Sequence, residues 1–380
     1  MFHAYDKSGK LTALYQYSFS ALEKQRKTSS FYCPVCKETL MIRAGQKITP
    51  HFAHFPTSTC EVNQRGESEY HETGKLLLYQ WLYRQGYEIE VEPFLSEINQ
   101  RPDLLLTHNK KKIAIELQCA TIPPDDVLKR TAGFQEAGIF PLWILGRNQL
   151  KQKGRYIIQH EQFHKSMVYL FQKQYCMYFL DVNAQAMTTV HQLNSSSVRS
   201  SFASFQTFPL QTIRFPQLFK PSLSSFHPFY SMWEKQQYQF RTHYRKRVGS
   251  IERQWRQFLY LKGLHFSLIP SVCYLPVKSQ LFLSEAPYVW QTRFILQHYM
   301  PKANGDVITF PKRSVESAVN STSSLLYNEY MELLQQLGYV NRTTQQEWVK
   351  GHDIHFHDHI DQAVAEDRRV VNELKLHNYL

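Results

Sequence analysis

Between residues 66 and 146 the apolar positions follow two rhythms, and the changes between them spell an α-β-β-β-α-β order. At 100° per residue Glu67, His71, Gly74, Leu78 and Trp81 share one stripe, with Leu82 close by, which predicts a helix over Gly66–Gln85 stopped by Gly86. Lys75 sits at the edge of that stripe and Glu69 nearly opposite. Tyr87–Val91 alternates with period two and reads as a strand. Asp103–Thr107 and Lys112–Gln118 are two more, joined by a turn at His108-Asn109-Lys110. Pro123-Pro124-Asp125-Asp126 opens a second helix, Gly138 stops it, and the wholly apolar Pro141–Gly146 reads as a central strand. The expected fold class is α/β (α+β), a mixed sheet flanked by helices.

Outside this block the pattern is weaker. Residues 1–62 hold little apolar material and need a staple to fold alone. Glu161–Gln174 reads as helical, Met177–Asp181 and Met187–Val190 as a hairpin, and the serines at 195–197, 200, 201 and 204 as part of a linker. From Pro228 the chain looks mainly helical, ending in a charged helix from Asp361. The expected domains are therefore 1–62, 63–193, a linker at 194–227, and 228–380.

Composition changes this picture in three ways. Hydrophobic residues make up 43% of the 380, enough for packed cores, so disorder over most of the length is excluded. A formal net charge of +12 points to a polyanionic partner. No apolar run approaches the ~18 residues of a membrane span. The N-terminus lacks the basic-then-apolar pattern of a signal peptide, and six cysteines are too few for a disulfide scaffold. The expectation is a cytoplasmic chain in a reducing compartment.

The chemistry concentrates at Arg101-Pro102-Asp103 and Glu116-Leu117-Gln118. Carboxylates on adjacent strands can meet at one point and bind a hard cation such as Mg²⁺ or Mn²⁺, which polarises a phosphodiester and activates water. Gln118 shares a face with Glu116. Glu67 and His71 continue a buried stripe, where polar groups need a reason to be. In this reading Asp103 and Glu116 bind the metal, Glu67 completes or orients the site, and His71, Lys75 and Gln118 position water or phosphate.

This set resembles the PD-(D/E)XK restriction-endonuclease-like core, with Pro102-Asp103 as the PD and Glu116-Leu117-Gln118 in place of E-x-K. Glutamine brings no positive charge to the scissile phosphate, and Lys75 or Lys129 is the candidate replacement. The wider order is Cys33-Pro34-Val35-Cys36, Pro50-His51-Phe52-Ala53-His54, Glu67-Ser68 with His71 and Lys75, then the two acidic motifs and Pro141–Leu145. It resembles the competence protein CoiA family. The resemblance implies a cytoplasmic protein of natural genetic competence that promotes recombination of incoming DNA and carries a nuclease-like domain.

Cys33 and Cys36 have the spacing of a zinc knuckle, and the tetrahedron needs two further ligands. His54 and Cys60 are favoured, and His51 with His54 is the alternative. From Tyr238 to Lys262 cations interleave with aromatic rings, among them Tyr244, Arg245, Lys246, Arg247, Arg253, Trp255, Arg256 and Tyr260. That pattern suits single-stranded DNA, with charges tracking the backbone and rings stacking bases, and it equally suits a solvated helix. His352, His355, His357 and His359 are expected in a polar surface loop. Two functions stay open: a Mg²⁺/Mn²⁺-dependent deoxyribonuclease, or a non-catalytic DNA-binding adaptor with a degenerate site, either one cooperating with recombination proteins.

Overall fold

The computed structural model describes residues 3–14, 17–33, 36–45, 50–58, 60, 69–220, 228–310, 320–345 and 347–376. Among the described residues the N-terminal block is a five-stranded sheet carrying one helix. Its elements are β1 (His3–Asp6), β2 (Leu11–Ala13), α1 (Phe19–Thr28), β3 (Phe31–Tyr32), β4 (Thr39–Arg43) and β5 (His51–His54), with strand order β2-β1-β3-β4-β5. Alternation along β4 buries Leu40 and Ile42, which join Leu22, Phe31 and Phe52 in a small core that also takes in Cys33 and Cys60.

The central domain holds α2 (Glu69–Tyr83), β6 (Glu88–Val91), β7 (Leu104–His108), β8 (Lys111–Gln118), α3 (Pro124–Glu136) and β9 (Ile139–Gly146), in the expected α-β-β-β-α-β order. It continues through β10 (Lys151–Lys153), β11 (Ile157–Gln159), α4 (Gln162–Lys165), β12 (Tyr169–Phe171), β13 (Gln174–Asp181), β14 (Ala186–Ser197) and β15 (Ser200–Pro209). The large sheet runs β10-β11-β15-β14-β13-β9-β8-β7-β6, with β12 added to β13. Its β8–β9 pair is parallel, as the α3 crossover demands, the β9–β13 pair is parallel too, and the hairpin-connected pairs are antiparallel. Asn109 and Lys110 both take positive φ and close the β7–β8 hairpin.

Alternation sends the two faces of β8 to different cores. Ile115 and Leu117 pack with Leu78, Trp81 and Leu82 of α2, while Ala114 packs with Phe134 of α3. Glu116 therefore points to the α3 face. Gly74 lets α2 approach closely, because a Cβ there would lie 2.4 Å from Leu117 Cδ2. This contact sets the first turns of α2 beside the end of β8.

Two expectations fail here. The serine-rich start of the expected 194–227 linker is strand, in the β14–β15 hairpin. Its hydroxyls pair across the hairpin, Ser196 to Ser200 at 2.8 Å and Ser197 to Ser200 at 2.7 Å, which allows small polar residues inside a strand. Phe202 of β15 packs with Phe229 and Trp233 of the following region, so the domains meet there directly. Residues 221–227 lie outside the described set. The helix expected over Glu161–Gln174 is a single turn, α4, followed by the β12–β13 hairpin, which turns at positive-φ Gln172 and Lys173.

The C-terminal region is mainly helical: α5 (Pro228–Thr242), α6 (Ser250–Leu261), α7 (Pro287–Phe294), α8 (Asn320–Gln336) and α9 (Ile360–Leu376), with a small sheet of β16 (Val340–Arg342) and β17 (Trp348–Lys350). Arg241 of α5 is buried and grips Asp367 of α9 with two guanidinium nitrogens.

Candidate functional site

Asp103 stands one residue ahead of β7. One step beyond the Leu104–Ile115 pair of the β7–β8 ladder, it comes level with Glu116. Its Oδ2 accepts the Leu117 backbone N–H at 2.8 Å. His71 Nε2 lies 3.3 Å from the same oxygen and 2.7 Å from the Leu117 carbonyl. A carbonyl can only accept, so His71 carries its proton on Nε2. Arg130 of α3 donates through Nη2 to Glu116 Oε1 and to the Arg101 carbonyl. Burial pushes Glu116 up to about 8 against the pull of Arg130, and the neighbouring Asp103 carboxylate adds to the rise. Asp103 and Glu116 thus stand level on neighbouring strands, close enough for the Asp103 carboxylate to act on Glu116.

The remaining expected residues divide. Lys75 is fully buried and held between Glu72, at 3.2 Å, and Glu92. Its charge and that of Asp103 both reach the Cys119 thiol just past β8, which burial pushes up to about 12. The Gln118 amide donates to the Ala120 carbonyl at 2.6 Å. Glu67 lies outside the described residues, and Glu69 is exposed.

Sequence reasoning missed Glu72, Glu92 and Arg130. Arg130 was findable, since it falls between Val127 and Phe134 on the stripe that α3 turns to the sheet. Glu72 lies 100° off the stripe, and Glu92 follows β6 in a positive-φ conformation that no periodicity reports.

In the N-terminal block Cys33, Cys36, His54 and Cys60 place one ligand atom each within 4.8 Å of one another. A tight turn after β3 builds one half of the set. The Cys33 N–H donates to Glu38 O at 2.8 Å, the Lys37 N–H to Cys33 O at 3.0 Å, and Lys37 takes φ +62°. His54 sits on the Phe52 face of β5, with Nε2 3.3 Å from Cys36 Sγ. His51 lies on the other face and outside the cluster, which decides between the two ligand sets considered. Burial pushes the Cys36 thiol up to about 12 and pulls His54 down. Three sulfurs and one imidazole form a soft-to-borderline donor set that can hold a structural metal ion.

The basic aromatic stretch also divides. Arg241 and Trp255 are buried, and Phe240 packs within the C-terminal core. Arg256 pairs with Glu252 at 2.6 Å and lies over the Phe266 ring at 4.1 Å, so it is a packing residue. Tyr244, Arg245, Lys246, Arg247, Arg253, Tyr260 and Lys262 are exposed. His352, His355 and His359 are exposed too, and among the described residues no metal-ligand cluster forms around them.

Three family models match in succession. Residues 14–63 match the N-terminal domain of competence protein CoiA, residues 67–223 its nuclease-like domain and residues 229–364 its C-terminal domain. The nuclease-like match runs through β14 and β15 and so takes in the serine-rich hairpin. Competence protein CoiA of Bacillus subtilis (strain 168) is 32% identical over 271 residues, which are 70% of this chain and 71% of that protein. No solved structure matches the chain. Among the described residues no helix is long and apolar enough to cross a membrane. Acid pair, thiol cluster and helical C-terminal region thus fall in three successive matched domains, and the chain belongs to the competence protein CoiA family.

Proposed function

We propose that this chain processes DNA during natural transformation and promotes its recombination, its nuclease-like core acting as a Mg²⁺- or Mn²⁺-dependent deoxyribonuclease in the cytoplasm. The observation that carries the reading is the Asp103–Glu116 pair, two acids level on neighbouring strands, with Glu116 raised to about 8 by burial and further by the Asp103 carboxylate. Asp103 Oδ1 and Glu116 Oε2 are the atoms that would hold the ion, which when bound supplies Lewis acidity toward a phosphodiester. His71 fixes Asp103 and the Leu117 carbonyl at once, and so holds the end of β8 in register with the acids. Arg130 orients Glu116 from the α3 side. Lys75, locked between Glu72 and Glu92, ties α2 to the segment after β6. The exposed cations at 245–247 and 253 would track a DNA backbone, single-stranded by preference, with Tyr244 and Tyr260 available for stacking.

In the N-terminal block Cys33, Cys36, His54 and Cys60 would hold a structural zinc ion, the usual occupant of a Cys₃His set.

The test is cleavage of labelled single- and double-stranded DNA with and without Mg²⁺ or Mn²⁺, using Asp103→Asn as control. Metal-dependent cleavage lost in the variant supports the enzyme. A second reading, a non-catalytic recombination adaptor, is favoured by two features: Arg130 already occupies one Glu116 oxygen, and the Gln118 amide is bonded to the Ala120 carbonyl. Wild-type protein that binds DNA and cleaves none would select it.

A further inference from the structure

The β10–β11 hairpin carries cations that neither the acid pair nor the C-terminal stretch uses. Arg147, Lys151, Lys153 and Arg155 are all exposed, and the segment 147–155 that holds them contains no acid. Lys151 pairs with Glu161 at 2.6 Å. Lys153, Arg155 and Arg199 pair with no carboxylate among the described residues. Arg199 belongs to the same surface. It lies in the turn between β14 and β15, and its carbonyl accepts the His160 N–H at 3.0 Å just past β11. Glu161 is held below its ordinary value first by its bond from Lys151, and the Arg199 charge adds to the pull.

The ribbon is fixed at its root and along one side. Asn148 and Gln149, which lead into β10, both donate to the Cys119 carbonyl, at 2.8 and 2.9 Å. Cys119 follows β8, and β8 runs parallel to β9, so the ribbon springs from the end of the sheet toward which β8 carries Glu116. Along β11, Ile158 is buried in the central core, while Tyr156 and Ile157 pack against the C-terminal core. Among the described residues β10 is the last strand of the sheet, and it stays in solvent. A Cβ on Gly154 at the tip would meet nothing within 4 Å. Lysines on an edge strand also discourage strand pairing. That role covers β10 and does not account for Arg155 in the turn or Arg199 on another hairpin. The one ring of the ribbon, Tyr156, is half-buried, with the Arg155 guanidinium 5.1 Å above its centre.

We propose that the β10–β11 ribbon, with Arg199 beside it, holds the backbone of duplex DNA. Cations spread along a raised, anchored ribbon suit an extended row of phosphates rather than a small anion, which needs converging donors. A two-stranded ribbon also has the width that the major groove admits. The lack of a free ring separates this surface from the 244–262 stretch, where exposed Tyr244 and Tyr260 suit unstacked bases. The proposal rests on the reading of the chain as a DNA-processing protein, and it does not need the acid pair to cleave.

The test uses full-length Asp103→Asn protein, which removes any cleavage, and measures its binding to a labelled blunt duplex and to one of its single strands over a range of salt. Lys153→Ala, Arg155→Ala and Arg199→Ala together should weaken duplex binding about tenfold or more and lower its salt slope by about 0.9 for each cation that meets a phosphate. Binding of the single strand should change by less than about twofold, because its contacts lie on the 244–262 stretch. The charge-preserving set Lys153→Arg, Arg155→Lys and Arg199→Lys should bind duplex as the parent does, which tells charge from shape. If the triple alanine variant fails to fold, Lys153→Ala alone, at an exposed position, should still lower the duplex slope by about 0.9. Duplex affinity and slope unchanged in the alanine variants overturn the proposal, and so does an equal loss for duplex and single strand. A parent protein that binds the single strand but no duplex overturns it and leaves the DNA-processing reading in place. A parent that binds neither form overturns both.

Discussion

The thiol cluster and the acid pair both bring together groups that are costly to assemble, and they meet that cost differently. Glu116 has Arg130 against it, and Lys75 lies between Glu72 and Glu92, so protein cations balance the core's acids. Around Cys36 the strongest side-chain influences are Cys60 and Cys33, which push its thiol further up. The core can therefore fold with cations against its acids and Glu116 holding its proton up to about 8, and a divalent ion there would be an addition. In the N-terminal block a metal would replace thiol protons and link three segments of chain, so there the ion would be part of the fold.

The largest effect expected from this contrast is on the N-terminal block. Purified protein should carry about one zinc, the content of a single four-ligand site. Chelation or Cys33→Ser should open the block to proteases, since structural zinc contributes on the order of 10 kcal/mol to folding in small zinc domains. The central and C-terminal domains should keep their melting transition. A block that stays protease-resistant after complete zinc removal would erase the contrast.

Next in size is the loss of metal-dependent cleavage. Asp103→Asn should reduce it about 10³-fold, the equivalent of several kcal/mol of transition-state stabilisation. The amide oxygen can still accept the Leu117 N–H, so this variant should melt close to wild type. Asp103→Ala should lose about 1–3 kcal/mol of stability, because that bond disappears. Glu69→Ala, at an exposed position of α2, should change neither measurement.

A smaller effect separates the two regions by pH. Glu116 is raised to about 8 in the fold from an ordinary value near 4.5. Between these values the folded chain binds a proton that the unfolded chain does not, so stability falls as pH rises through this window. Glu116→Gln keeps a neutral, hydrogen-bonding group there. It should raise the melting temperature by about 2–4 °C at pH 8.5 and by less at pH 5. An equal shift at both pH values would mean that Arg130 already cancels the cost of burying the acid.

The sequence foretold those parts of the molecule whose signal is periodic. The α2 stripe, the β7–β8 hairpin and the apolar β9 came from apolar spacing and turn residues, and the level placement of Asp103 and Glu116 on neighbouring strands followed from the hairpin. The Cys33, Cys36, His54 and Cys60 set followed from ligand counting, and β-strand alternation then separates His54 from His51. What stayed hidden depends on partners distant in sequence. Ser196 and Ser197 are strand residues because Ser200 pairs with them and the C-terminal region covers the hairpin, Gln236 donating to the Ser196 carbonyl at 2.6 Å. Lys75 is buried against Glu72 and against Glu92, which reaches it from beyond β6. Composition had marked those serines as a linker and left Lys75 at a helix edge.

The smallest effect concerns cations that the fold leaves in solvent, against those it uses. Arg245 and Arg256 lie eleven residues apart in one basic stretch, yet Arg245 is exposed while Arg256 is paired with Glu252 and stacked on Phe266. Each phosphate contact on single-stranded DNA contributes about 0.7 to the slope of log affinity against log salt. Arg245→Ala should therefore lower that slope by about 0.7 and weaken binding to all sequences alike, with melting unchanged. Arg256→Ala should leave the slope in place and lower the melting temperature, because it removes packing and leaves Glu252 without its cation. The pair of measurements tells a binding surface from a solvated helix. If neither variant changes the slope, the exposed cations of this stretch do not meet the DNA backbone, and the DNA contacts lie elsewhere on the chain.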